Sequence, residues 1–121
     1  MAVLGHLKPE KVFQLFEEMC AIPHGSGNTA GMTAYLVKFA KDRGLEHRSD
    51  EIGNVIIRKP ATPGYENVPG IIMQGHMDMV CEKDASCPLN METDGLDVMH
   101  DGAYVFAKGT TLGGDDGIAV A

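Results

Sequence analysis

Basic residues are scarce in this chain. Ten Lys and Arg stand against 17 Asp and Glu, for a formal net charge of −7 over 121 residues, and the ten are scattered. Binding to phosphate backbones or anionic lipid is driven by clustered cations, so neither a nucleic acid nor a membrane surface is expected as a partner. Long apolar runs are missing too, since none approaches the roughly 20 residues that a bilayer-spanning helix needs. Lys8, Glu10, Lys11, Glu17 and Glu18 leave no room for the apolar stretch of a secretory leader in the first twenty positions. Cysteine is sparse and odd in number. Cys20, Cys81 and Cys87 make no paired framework, which fits a reducing, cytoplasmic setting. The gap between Cys81 and Cys87 is wider than in the usual zinc pair, so both are read as reduced thiols. No internal repeat or low-complexity tract is present.

What is there is ordinary for a globular protein. Hydrophobic residues at 44% and charged residues at 22% exclude disorder. A chain of this length hides roughly two-thirds of the surface its unfolded form exposes, enough for one modest core. Val12, Leu15, Phe16 and Met19 recur at helical spacing behind Pro9, which suits a first helical position. A second helix has Ser26 or Asn28 as its cap, a core face of Met32, Tyr35, Leu36, Phe39 and Ala40, and Gly44 as a left-handed stop. His24, in the loop between them, could approach a site there but reads first as a capping or solvated histidine.

The remainder alternates strands and loops. Residues 45–50 predict a short strand and residues 54–58 a buried one, because Val55-Ile56-Ile57 is β-branched throughout. Residues 60–70 are a loop punctuated by Pro, Gly and Asn. Residues 68–74 predict a further strand, and residues 96–100 and 104–107 flank Asp101-Gly102 as a hairpin, with His100 pointing outward. A helix begins at about Asp116. Strands separated by helices predict an α/β fold with a three-layer α/β/α sheet, here only in part.

Two short stretches carry chemistry. Gln74-Gly75-His76-Met77-Asp78-Met79-Val80 is followed, after a 28-residue spacer, by Gly109-Thr110-Thr111-Leu112-Gly113-Gly114-Asp115-Asp116-Gly117. Side chains two apart on an extended segment share a face, so His76 and Asp78 can act together. The imidazole would ligate a metal while the carboxylate fixes its tautomer through the other nitrogen. The glycine-rich second stretch can bend its backbone closely around an ion. Taken alone, His-x-Asp is also a surface pair at a strand end, and Gly-Gly-Asp-Asp-Gly is also a solvated turn.

Together with Asn54-Val55-Ile56-Ile57-Arg58-Lys59-Pro60-Ala61-Thr62 and Ile22-Pro23-His24, these motifs resemble the amino-terminal portion of the M20 metallopeptidases. The resemblance is strongest to the bacterial aminoacyl-histidine dipeptidases and runs from about Pro9 to Ala121. It implies that residues 1–121 are the amino-terminal portion of a zinc-dependent catalytic domain, without the lid or dimerisation domain, of a cytoplasmic and homodimeric parent. By resemblance, His76 binds one of two zinc ions, Asp115 bridges both, and Asp78 is the catalytic-site aspartate that orients His76. Asp116 stands where the dipeptidases commonly have Asn and is a candidate support behind the ligands. The spacer from Cys81 to Gly95, with Pro88, Leu89 and Asn90, departs from the family pattern.

In that family the general base lies in a Glu-Glu pair downstream of the bridging aspartate. Glu17 and Glu18, the adjacent pair here, lie upstream and read as a solvated helix face, so this chain supplies no general base. The parent is expected to hydrolyse dipeptides such as Xaa-His, with these 121 residues inactive by themselves. Alternatives are a related deacylase or aminopeptidase of the same superfamily, or a non-enzymatic metal-binding domain complete in itself.

Overall fold

The computed structural model describes residues 2–121, and these form two compact units. One runs through Met32 and resumes from Gly75 to Ala121; the other spans Thr33–Gln74. The element order is α1 (Glu10–Cys20), α2 (Ala30–Asp42), β1 (Glu46–Ser49), β2 (Val55–Arg58), β3 (Val98–His100), β4 (Val105–Ala107) and α3 (Gly114–Val120). Helices and sheets are thus mixed, but the strands form two separate antiparallel pairs, β1 with β2 and β3 with β4.

In the first unit, α1 starts one residue later than Pro9 suggested, with Pro9 as its extended cap. Its apolar stripe buries Phe16, Met19 and Cys20. Phe16 and Cys20 join Leu4 and Val98 in a core flanked by Leu7, Phe13, Leu96, Val105, Leu112 and Ala121. Burial of Cys20 pushes its thiol up to about 12, because a thiolate in apolar surroundings loses its hydration. Glu17 is not part of a solvated face. Its two carboxylate oxygens accept the backbone N–H of Val3 at 2.6 Å and of Leu4 at 2.9 Å, which seats Leu4 in the core. The far end of α1 takes a second strap, where Leu96 N–H donates to the Cys20 carbonyl at 2.9 Å. That strap leads into the β3–β4 hairpin, in which Val98 pairs with Ala107 and His100 with Val105.

The hairpin turn follows its sequence. Asp101 Oδ1 accepts the N–H of Ala103 and Tyr104 at 2.9 and 2.8 Å, and Gly102 has φ 97°. His100 does not point outward. Its ring lies 4.9 Å from that of His6, and its Nδ1 is buried without a hydrogen-bond partner among the described residues.

In the second unit, α2 ends as expected at Gly44, whose φ of 64° is the left-handed conformation that side chains resist. Thr33 Oγ1 donates to the Gly53 carbonyl at 2.7 Å, tying the helix to the β1–β2 turn. Asp50 organises that turn by accepting from Ile52 N, Asn54 N and Asn54 Nδ2. The Asn54 side-chain amide is the chief reason its carboxyl sits below the usual range. Two expectations fail here. β2 forms but is not buried, since Ile56 is 68% exposed, and residues 68–74 form no strand, with Ile72 94% exposed. A strand needs a neighbour to take its backbone N–H and C=O groups and to cover its side chains. No other described segment pairs with residues 68–74.

Candidate metal centre

The two motifs are far apart in sequence and are brought together by a short antiparallel clasp. Lys83 bridges Thr110, Asp84 N–H donates to the Gly109 carbonyl at 2.8 Å, and Thr111 N–H donates to the Glu82 carbonyl at 2.9 Å. The Thr111 hydroxyl locks the clasp. It donates to the Val80 carbonyl at 2.7 Å and accepts from Glu82 N at 3.2 Å. The Gly-Thr-Thr run ahead of the glycine turn therefore has a mechanical role. A buried Met79 supports the other side, where the chain pairs with the loop after α1: Met79 N–H donates to the His24 carbonyl at 3.0 Å and Ser26 N–H to the Met79 carbonyl at 3.1 Å.

Gly113 then turns the second motif onto the first. Its φ is 75°, and a Cβ there would lie 2.8 Å from Met79 Sδ and 3.1 Å from Met79 Cβ. A left-handed non-glycine residue costs on the order of 1–3 kcal/mol, and the contact with Met79 adds to it. Gly113→Ala is expected to lower the unfolding free energy by at least that amount, read as a lower urea midpoint, and an unchanged midpoint would show that the turn is not built this closely.

His24 lies within this frame and is neither solvated nor distant. It is 5% exposed, its Nδ1 donates to the Ile22 carbonyl at 2.6 Å, and its Nε2 would be 3.4 Å from a Cβ at Gly113. The sequence offers one signal for this, the placement of His24 between Pro23 and two glycines. Ser26 does not spend its hydroxyl on the second helix, because Oγ donates to Asp78 Oδ2 at 2.6 Å. Asn28 Nδ2 donates to the Glu92 carbonyl at 3.0 Å.

On this frame His76, Asp78, Asp115 and Asp116 converge. His76 Nδ1 faces Asp78 Oδ1 at 3.0 Å and the Asp78 carbonyl at 3.1 Å. Both are acceptors, so Nδ1 carries a proton and Nε2 is the nitrogen free to act otherwise. Nε2 faces Asp115 Oδ1 at 3.0 Å. Asp116 stands behind, accepting the His76 backbone N–H through Oδ2 at 3.2 Å. A Cβ on Gly75 would come within 2.6 Å of that same oxygen, so the glycine leaves room for it. The Asp115–Asp116 peptide bond is cis, and regular helical geometry in α3 begins only after Asp116.

The electrostatics follow from this geometry. Asp115 first raises the His76 pKa above the ordinary histidine value; desolvation opposes it, and the carbonyl and carboxylate of Asp78 add to the rise. The Ser26 hydroxyl, then His76, hold Asp78 below the usual carboxylate range. An imidazole with acceptors at both nitrogens needs positive charge, and either a second proton or a cation between Nε2 and Asp115 provides it.

The donor chemistry suits zinc. Nitrogen and oxygen ligands at about 2.0–2.2 Å in tetrahedral array lie roughly 3.3–3.6 Å apart, so a shift of a few tenths of an ångström would let both hold one ion. The set is incomplete, however. Among the described residues no group of three or more His, Cys, Asp or Glu is placed to hold a metal.

Comparison with known proteins gives these residues a context. The chain is 39% identical over all 121 residues to the cytosol non-specific dipeptidase of Escherichia coli (strain K12), of which it spans 25%. The fold is similar to the crystal structure of aminoacylhistidine dipeptidase from Vibrio alginolyticus, with a TM-score of 0.92 and 41% identity over 97% of this chain and 24% of that one. No family model matches. The chain therefore spans about a quarter of the length of the relatives it matches, and both carry the name of dipeptidase, as the motifs led one to expect.

Proposed function

We infer that this chain is one part of a dipeptidase of the M20 metallopeptidase type, and we propose that it contributes the histidine and the bridging aspartate of a two-zinc centre. The observation that carries this is the convergence of His76 Nε2 and Asp115 Oδ1 at 3.0 Å, with Nδ1 of the same ring committed to Asp78. That geometry occurs in a chain alike in sequence and fold to proteins named dipeptidases. Neither relative is named a deacylase, which leaves that alternative without support.

A bound zinc pair would polarise the scissile carbonyl and lower the pKa of a bound water. The residues of this chain do the rest of what can be assigned here. His76 and Asp115 would hold the ions, Asp78 would keep the His76 proton on Nδ1, and Asp116 would fix the His76 backbone. Remaining ligands and the base that takes the proton from water would come from residues outside these 121. Dipeptides, those ending in histidine among them, are the proposed substrates of the whole enzyme, a cytoplasmic homodimer. Among the described residues no helix is long and apolar enough to cross a membrane.

In the same reading residues 68–74, with their exposed Ile71, Ile72 and Met73, are a strand of the larger three-layer sheet. They would pair with strands that the rest of the enzyme provides. The test is expression of a protein extended to the length of the relatives, assayed for release of free histidine from aminoacyl-histidine dipeptides with and without chelator. Chelator-insensitive hydrolysis, or none at all in a folded protein with two zinc ions, would refute the proposal.

Asp78→Ala in that protein is expected to lower zinc affinity by about 10- to 100-fold, the usual loss when the partner of a ligating histidine is removed. Zinc content after dialysis against a chelator reads it directly. Full retention of zinc with full activity would remove Asp78 from its place.

A further inference from the structure

Ser26 lies 52 residues from Asp78 in the chain, yet its hydroxyl donates to Asp78 Oδ2 at 2.6 Å. An O–H···O⁻ bond of that length is in the strong, charge-assisted range. The two carboxylate oxygens of Asp78 thus have separate tasks: Oδ1 holds the His76 ring at 3.0 Å, and Oδ2 is itself held by Ser26.

The Ser26 backbone is fixed without help from the hydroxyl. Ser26 N–H donates to the Met79 carbonyl, Met79 N–H donates to the His24 carbonyl, and Gly25 forms a parallel bridge with Met79. Asn28 N–H closes a turn on the Gly25 carbonyl at 2.8 Å. Gly25 permits this closeness, because a Cβ there would lie 2.7 Å from Cys81 Sγ. The loop therefore rides on the residue next to Asp78, and Ser26 is presented to the carboxylate from a rigid base.

We propose that Ser26 is a positioning residue of this centre: its hydroxyl fixes the Asp78 carboxylate, and through it the His76 ring. The proposal rests on the reading of His76 as a metal ligand and Asp78 as its orienting partner. With Oδ2 unheld, Asp78 can rotate about its side-chain torsions, and His76 loses the fixed acceptor that orients it. Asp78 is 39% exposed at its side chain, so water can replace part of what Ser26 supplies. The loss should therefore be smaller than that from removing Asp78.

The experiment compares the wild-type chain with Ser26→Ala, Ser26→Thr, Asp78→Ala and the Ser26→Ala/Asp78→Ala pair. Ser26 is exposed and its backbone bonds do not involve the hydroxyl, so wild type, Ser26→Ala and Ser26→Thr should share one urea midpoint within error, and the double variant should match Asp78→Ala. In the metal-free proteins, three-bond NMR couplings should report one rotamer each for Asp78 and His76 in wild type and Ser26→Thr, and averaging in Ser26→Ala. In a zinc titration of the same variants in the protein extended to the length of the relatives, against a chromophoric chelator, Ser26→Ala should weaken binding by about three- to tenfold, less than the 10- to 100-fold expected of Asp78→Ala. Ser26→Thr should stay within about twofold of wild type.

In the Asp78→Ala background, Ser26→Ala should add nothing, since residues acting through one another are not additive. Unchanged rotamers in Ser26→Ala, or a full additional loss in the double variant, would overturn the proposal. Absence of any zinc binding by the wild-type protein extended to the length of the relatives would sink the metal reading instead, and the rotamer comparison in the metal-free chain would still decide the role of Ser26.

Discussion

Purified by itself and supplied with zinc, the 121-residue chain is expected to release no histidine from aminoacyl-histidine dipeptides. The limit is the number and kind of groups it can bring to an ion. His76 and Asp115 are two donors, no third His, Cys, Asp or Glu among the described residues is placed to hold the same ion, and stable zinc sites have three or four. A pair of ions about 3.5–4 Å apart cannot be held by two side chains, so zinc should bind weakly and at low stoichiometry. A positioned base is missing as well, which alone is worth about 100- to 10,000-fold. Glu17, of the adjacent upstream pair, is occupied by the backbone N–H groups of Val3 and Leu4. Histidine release should match the buffer blank at any zinc concentration. Metal-dependent turnover that disappears with Asp115→Ala would show that these residues hold a complete centre.

In a protein extended to the length of the relatives, Asp115→Ala is expected to lower kcat/KM by about 1000-fold or more. A carboxylate that bridged two ions, as proposed for Asp115, would be lost to both at once. Lewis-acid stabilisation is worth several kcal/mol, and each 1.36 kcal/mol is tenfold in rate. The loss should therefore exceed that from Asp78→Ala, which acts only through His76. Exposure separates this from unfolding: the Asp115 side chain is 98% exposed and faces His76, so the variant should keep its urea midpoint while losing bound zinc. An Asp115→Ala enzyme within tenfold of the parent, with its zinc content intact, would show that another group bridges the ions.

The local code of this chain is legible wherever one element contains its own signal. The stripe of Phe16 and Met19, the Gly44 stop and the Asp101-Gly102 hairpin are set by spacing and turn chemistry within a dozen residues, and each appears where it should. The two motifs were equally plain, because metal chemistry restricts which side chains can stand together. Their likeness to dipeptidases holds in both comparisons.

What the tertiary structure decided involves groups far apart in the chain. Ser26 reads as a helix cap until the fold sets it against Asp78. Glu17 reads as a solvated carboxylate until the N-terminal segment folds back onto it. His24 becomes buried only because the loops around Met79 and Gly113 close over it. Residues 68–74 show the converse, since β-branched composition marks a strand only when another strand is present to complete its ladder. Sequence by itself determined the helices, the turns and the residue types of the centre. Tertiary structure determined which polar group meets which, because a hydrogen bond across 52 residues leaves no periodic trace in the chain that carries it.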